Sequence, residues 1–405
     1  MPTTNFKNSS GTDIGDALVG KSYLIDRYPE LADTFKQAGL FMWGYNLGGS
    51  LGDGTTSVHK SSPIQTASGG TNWQSIGVGM GSSAAIKTDG TLWSWGTNDY
   101  GQIGDGTTAN RSTPIQIGSN TNWKMVNIGF LQVSAGIKTD GTLWTWGRGD
   151  YGGMLGDNTL VNKSSPVQTI AGGTNWKSLS VGNYGIAAIK TDGTLWSWGK
   201  NPNGFLGDGT TTDRSSPVQV AGTTWKIVSC GARHMAAIKT DGTLWVWGEN
   251  GSYGYPGILG DGTSTDRSSP VQTIAAGTNW KSVSASWFGV AAIKTDGTLW
   301  SWGYNGEGQM GDGTTTLRSS PVQTISAGTN WKIVQCGGYI TKAIKTDGTL
   351  WAWGANSLGG IGDGTTTNRS SPVQIGSTNW KQIGGGYYTS AAIRDDSADI
   401  FGNTL

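Results

Sequence analysis

Seven short turns of the form Gly-Asp-Gly or Gly-Asp-Asn carry the most regularly placed carboxylates: Asp53, Asp105, Asp157, Asp208, Asp261, Asp312 and Asp363. A basic residue follows each after six or seven positions, namely Lys60, Arg111, Lys163, Arg214, Arg267, Arg318 and Arg369. Calcium would be the obvious ligand for repeated acidic turns. It takes about six to eight oxygens, several of them carboxylates, and each turn supplies one. An Asx turn braced by a loop ion pair is the expectation instead. Histidine occurs only at 59 and 234 and cysteine only at 230 and 336. The two cysteines hold the same place in non-adjacent repeats, which rarely come within the roughly 7 Å Cα separation a disulfide needs. Buried free thiols are expected. Aspartate, serine and threonine are plentiful but fall at positions that recur down the chain, whereas catalysis needs one asymmetric constellation. The reading is a protein that is not an enzyme and uses no cofactor and no metal.

The elements that position these residues follow from the repeat itself. A strand ending in Trp-Gly recurs with its glycine at 44, 96, 147, 199, 248, 303 and 354, and a degenerate version ends at Gly402. Successive spacings run from 48 to 55 residues. In "AAIKTDGTLWSWG" (84–96), two alternating runs flank Asp89-Gly90, the strongest short hairpin signal, which predicts a type I′ turn. Trp93 and Trp95 share one face of that hairpin. Strands around "SPIQ" and "NWQSIGVG" complete four per unit, so the expected fold is all-β, a seven-bladed β-propeller of four-stranded antiparallel blades. The chain holds one more Trp-Gly strand than partners for it. "LFMWG" (40–44) is therefore expected to complete the last blade as an N-terminal clasp, because an open stack would leave two apolar faces wet.

Charge and hydropathy set the outer limits. With 28 Lys+Arg against 27 Asp+Glu, the formal net charge of +1 gives no broad field for nucleic acid or anionic lipid. No run approaches the roughly 18 apolar residues that span a bilayer, and the N-terminus lacks an apolar signal core. Neither nucleic-acid binding nor membrane insertion is expected. A ring of basics, Lys87, Lys138, Lys190, Lys239, Lys294, Lys345 and Arg394, is expected to be solvated and locally neutralised by the aspartates beside it.

The pattern "WGTNDYGQIGDGT" (95–107), followed by "P.Q", "W..I..G" and "AAIKTDGTLW.WG", resembles the regulator of chromosome condensation repeat. The resemblance covers about nine-tenths of the chain. It implies a seven-bladed propeller and a recognition role, since members include a GTPase exchange factor, a plant ultraviolet receptor and a bacterial β-lactamase inhibitor. Twenty of the 21 tryptophans sit at three template positions, which points to blade packing rather than light sensing. His234 matches the family's Gly-x-x-His pattern and reads as a structural histidine rather than a general base. Trp287 is the tryptophan the template does not require.

Differences between units collect at one end of each hairpin. The Asp-Gly turn closes the other end, so the segment entering "AAIK" and the segment leaving "WG" emerge together. These segments carry Phe130, Tyr184, Arg233, Trp287, Phe288, Tyr387, Tyr388, Tyr253 and Tyr255, the candidate partner-binding residues. Diversified Tyr, Trp and Arg on a fixed scaffold suit an interface. The alternative is that they pack under their loops and plug the axial channel.

Residues 1–38 form a separate extension and 39–405 the propeller. "RYPELADTFKQAG" predicts a short helix with Leu31 and Phe35 on one stripe, candidate anchor residues. "KSYLIDRYPELADTFKQAGLFMWG" (21–44) resembles leaders that precede such repeats in virion proteins of tailed phages, especially those of marine cyanobacteria. The resemblance implies a virion component, with other virion proteins or a host-surface receptor as partners. The alternatives are a cytoplasmic scaffold or GTPase-regulating propeller, and a carbohydrate-binding module with a glycan on the rim.

Overall fold

The computed structural model describes residues 5–7, 13–16, 39–251, 257–325, 328–376 and 379–394. Seven four-stranded antiparallel sheets make up the body. Blade 1 runs Trp73–Val78, Ser82–Lys87, Leu92–Gly96, Arg111–Gln116 from inside to outside, and blades 2 to 6 repeat this order. Outside the blades, Asn5–Lys7 pairs with Asp13–Asp16. The predicted helix carrying Leu31 and Phe35 lies outside the described residues.

Blade 7 joins the two ends of the chain. Its inner strands, Trp380–Gly385 and Thr389–Arg394, come from the C-terminal part, and its outer strands, Gly39–Gly44 and Lys60–Gln65, from the N-terminal part. Leu40 pairs with Ile393 and Met42 with Ala391. The expected clasp is present and is two strands wide rather than one. Leu40, Met42 and Trp43 are wholly buried in it.

The hairpin turn differs from the predicted one. Gly90 has φ +78° but Asp89 has negative φ, and the bonds are Gly90 N–H to Lys87 O and Lys87 N–H to Thr91 O. This is a type I turn followed by a left-handed glycine bulge, the three-residue hairpin solution. Type I′ would need positive φ at the aspartate as well. Asp89 instead accepts from the Thr91 N–H at 3.0 Å and its hydroxyl at 2.7 Å, and these bonds, hydroxyl first, hold its carboxyl below the ordinary value.

Blades pack face to face through small and large residues in alternation. Val133, Ala135 and Ile137 of blade 2 meet Trp176, Leu179, Val181 and Ile186 of blade 3. The second tryptophan of each "LW.WG" reaches back across this seam where its bond is described. Trp198 Nε1 donates to Met154 O at 3.0 Å, and Trp247 Nε1 to Phe205 O at 2.9 Å. The loop before each "GD" turn must therefore lie flat on the next blade. A Cβ on Gly207, whose φ is +72°, would sit 2.5 Å from the Trp247 indole nitrogen.

That loop is latched by an asparagine two residues after the Trp-Gly. Wholly buried Asn201 donates to Asp208 Oδ1 (3.2 Å), Thr210 O (3.0 Å) and Thr212 O (3.1 Å), while its Oδ1 accepts the Leu206 N–H at 2.8 Å. Asn46, Asn98, Asn250, Asn305 and Asn356 do the same in their units. Asn201→Ala leaves the buried Leu206 N–H and the part-buried Thr210 and Thr212 carbonyls without their partner at once. It is expected to cost about 2–4 kcal/mol, read as a lower urea midpoint; an unchanged midpoint would refute the latch.

Candidate partner-binding rim

The repeated ionisable groups are structural. Asp208 Oδ1 accepts from the Thr210 N–H and hydroxyl, and its Oδ2 meets Arg214 at 2.8 Å. Burial pushes this carboxyl up, but the bonds from Thr210 and Arg214 outweigh it and leave the group below the usual range. All seven predicted acid–base pairs form, with the lysine pairs looser: Lys60–Asp53 spans 3.8 Å and Lys163–Asp157 3.6 Å, against 2.8 Å for Arg267–Asp261. Among the described residues no group of His, Cys, Asp or Glu could hold a metal ion, and no helix is long and apolar enough to cross a membrane.

The ring of basic residues departs from expectation in its surroundings, though the aspartates beside the six lysines, held low first by their threonine bonds, are lowered further by those lysines. Rather than standing in solvent, each cation lies against aromatic faces: Lys87 Nζ is 4.9 Å from the Trp73 centroid and 4.0 Å from Trp93. Lys138, Lys190, Lys239, Lys294 and Lys345 repeat the sandwich. Arg394 lies over Phe41 and Trp380 in blade 7. In blades 1 to 6, two indoles on the first and third strands thus flank the lysine of the second and make one cation site.

His59 and His234 are both built into the scaffold. His59 Nδ1 accepts the Asn46 N–H at 3.2 Å, the task of Asn110 and Asp213 in other units. His234 is wholly buried, with Nε2 3.2 Å from Gly289 O of blade 5, and burial drives its pKa down to about 4. Cys230 and Cys336 are buried free thiols, as expected, raised by burial to about 12 and about 11.

Lys342 has no counterpart in the repeat. It stands where the other six units carry alanine, is fully buried, and donates from Nζ to Ser390 Oγ of blade 7 at 2.9 Å. Burial lowers its pKa to about 7.

The variable segments do meet at one end of the propeller. Gly199, at the exit of its hairpin, has φ +117°, and a Cβ there would lie 2.4 Å from Tyr184 O, so glycine lets the entering and leaving chains run in contact. From these ends Phe130 of blade 2 and Trp287 of blade 5 reach each other across the ring, stacked at 6.0 Å with planes 13° apart. Tyr387 of blade 7 closes the third side, 4.1 Å from Trp287 and 6.4 Å from Phe130, edge to face. Three blades that share no common seam thus converge over the axis. Below them lies a narrow channel cavity of about 60 Å³, lined by the inner strands and by Phe130.

This lid is only half sunk. Phe130 is 9% exposed, whereas Trp287, Phe288, Tyr387 and Tyr388 are half-buried. Plugging and presentation are therefore two sides of one cluster. It extends outward through Phe288–Trp287 (5.7 Å), Tyr387–Tyr388 (4.5 Å) and Tyr339–Tyr388 (5.7 Å, stacked). Burial, then the neighbouring tyrosine hydroxyls, raise the Tyr387 phenol, so it stays a neutral donor.

Tyr184 and Arg233 belong to a second group. Tyr184 stacks on Tyr151 at 6.1 Å, Arg233 lies 5.5 Å over the Tyr184 ring, and Arg148 lies between Tyr100 and Tyr151 at 4.6 and 5.0 Å. Arg233 also pairs with Glu249 at 3.1 Å; burial raises the Glu249 carboxyl in spite of it. One arc of the rim is thus neutral and aromatic, and the other alternates aromatic and cationic side chains. Tyr253 and Tyr255 lie outside the described residues. Tyr304, Tyr339, Tyr151 and Arg148 are rim residues that the sequence reading left off its candidates. Tyr304 directly follows a Trp-Gly, a position whose variation between units was the available signal.

Comparison with known proteins agrees with the fold. The Regulator of chromosome condensation (RCC1) repeat matches residues 89–138, 192–238, 296–344 and 347–393, and a second form of it matches 73–102, 176–204, 225–254 and 280–309. The chain is 30% identical over 344 residues to the Ultraviolet-B receptor UVR8 of Arabidopsis thaliana, covering 82% of this chain and 76% of the receptor. It is 31% identical over 186 residues to the human E3 ubiquitin-protein ligase HERC2, covering 45% of this chain but spanning only 4% of that ligase. The structure of Prp20p from Saccharomyces cerevisiae superposes with a TM-score of 0.78 at 18% identity, covering 91% of this chain and 94% of Prp20p. Repeat matches, identity and blade architecture together place this protein in the regulator of chromosome condensation repeat family.

Proposed function

We propose that this chain is a non-enzymatic recognition propeller that docks a protein partner on the half-buried aromatic arc around Trp287. The observation that carries this is the lid itself. Filling the axis needs Phe130 and one ring opposite, yet Phe288, Tyr304, Tyr339 and Tyr388 extend the same cluster to the surface. Rigid aromatics on a closed ring lose little conformational freedom on binding, which is what interface anchors require. Relatives support a protein partner: Prp20p is described with binding properties to Gsp1p and histones, and in complex with Kap60.

Trp287→Ala is expected to weaken partner binding by about thirtyfold or more, the effect of one hot spot of about 2 kcal/mol. The measurement is affinity capture followed by titration of the captured partner, with Lys124→Ala on an inner strand as the control. Equal binding by Trp287→Ala and the parent would overturn the reading.

The family membership favours a second version, in which the partner is a small GTPase. Nucleotide-exchange assays that show no acceleration would remove it. The virion assignment rests on the leader resemblance at 21–44, mostly outside the described residues, and the relatives lend it no weight; absence from purified particles by mass spectrometry would end it.

A further inference from the structure

At the opposite end of the blades from the rim, a cleft of about 330 Å³ opens between blades 1 and 2, lined among others by Gln116, Asn120, Trp123, Lys138, Trp144 and Pro166. Among the described residues, two of its donors have no acceptor, and one of them is fully buried. The Trp123 indole is 3% exposed and its N–H has no hydrogen-bond partner. The corresponding N–H groups of Trp73, Trp176 and Trp225 donate to loop carbonyls four residues earlier, at 3.1, 2.9 and 3.1 Å. Lys138 is 8% exposed, and among the described residues its ammonium is held against the Trp123 and Trp144 faces with no ion pair within 4 Å.

The opening also has a local cause. Gly118 stands in the blade connection at the place of Ile170, Ile274 and Ile325 in three others. Where isoleucine is present it covers the adjacent turn: Ile274 Cδ1 lies 2.9 Å from the Cβ position of Gly262. Trp280 and Trp380 also lack the loop bond, but the Trp280 connection carries that isoleucine. The carboxylate in the cleft wall, Asp105, is committed to Arg111 and Thr107. Asp140, two residues after Lys138, is bound by Thr142 and meets the Lys138 charge only beyond ion-pair distance.

We propose that this cleft is a binding site for a small organic carboxylate. A buried donor N–H beside an ammonium that has no hydrogen-bond acceptor calls for one, and an anionic acceptor satisfies both. Lys138 Nζ is 5.0 Å from the Trp123 ring centroid, and with N···O contacts of about 2.8 Å one carboxylate spans the two donors. Trp144 and Pro166 offer the apolar wall for the ligand's body. The site is independent of the rim and of any protein partner there.

Indole N–H resonances of the full chain, labelled with ¹⁵N-tryptophan, test this directly. Benzoate is expected to shift, saturably, the one indole resonance that is missing in Trp123→Phe, while benzamide, the uncharged isostere, binds at least tenfold more weakly. Lys138→Met keeps the stem between the indoles and removes the charge; it is expected to weaken benzoate at least tenfold, with the remaining indole resonances reporting an intact fold. Selective shifts that persist in Lys138→Met, equal responses to benzamide, or no selective indole shift would each overturn the site.

Discussion

Lys342→Met is expected to stabilise the propeller at neutral pH by an amount of order 3–5 kcal/mol and to flatten the pH dependence of its stability between pH 7 and 10. The lysine occupies an alanine position between blades 6 and 7 and offers its ammonium one hydroxyl, that of Ser390. The neighbouring titratable group is the Cys336 thiol, itself raised to about 11 and so neutral. Burial lowers the Lys342 pKa from the ordinary 10.5 to about 7. The sign follows from proton counting. Between pH 7 and 10.5 the unfolded chain holds a proton that the folded chain releases, so stability rises with pH across that window. Below pH 7 both states are protonated and the whole penalty applies, about 5 kcal/mol for a difference of 3.5 units. Methionine matches the stem and carries no charge. Ser390 keeps its own donation to Gly360 O at 2.7 Å. Urea unfolding of parent and variant at pH 6.5 and 9.5 decides it: the gain should be larger at the lower pH, and an equal or reversed difference would sink the argument.

Removing residues 1–65 is expected to abolish cooperative unfolding altogether. The deletion takes both outer strands of blade 7 and leaves the Trp380–Gly385 and Thr389–Arg394 pair with its Ile393 and Ala391 sides uncovered. Leu40, Met42 and Trp43, all at 0% exposure, go with it. At about 2–5 kcal/mol for each large buried side chain, their loss alone matches the usual net stability of about 5–15 kcal/mol. The same cut removes Ser50, whose carbonyl accepts from Ser83 and Trp95 of blade 1, so both seams beside blade 7 fail. Calorimetry should show a broad, low-enthalpy transition, and a synthetic 39–65 segment added in trans should restore part of the sharp one. A truncated chain with the parental midpoint would show that the clasp contributes little.

Repetition explains which features were readable. Strand order and the acid–base loop pairs each recur, so each was supported several times in one chain, and the two-ended last blade followed from the one surplus strand. The turn type was misread because Asp-Gly serves two hairpins that differ in one φ angle and one residue of loop length. The sequence shows Lys87 two residues before Asp89, which it does influence, but not the aromatic bed of the ring, because it is strand pairing that sets Lys87 opposite Trp73. The lid over the channel was beyond reach for a different reason. Phe130 and Trp287 are 157 residues apart in sequence and meet only because seven blades close a ring. Their residue types marked them as unusual, but their contact is a property of the circle. The asparagine latch was visible in the repeat pattern and passed over, since a buried amide announces itself only through its partners.

The two-ended blade also sets a schedule. Gly39–Gly44 leaves the ribosome early, yet its partner strand ends at Arg394, some 350 residues later. At roughly 5–20 residues per second that is a wait of about 20 to 70 seconds. Through that interval Leu40, Met42 and Trp43 have no lasting neighbour on the inner side, and the first blades form beside an uncovered edge. Newly made chains should therefore depend on holding chaperones, or on dilution, far more than the finished ring does.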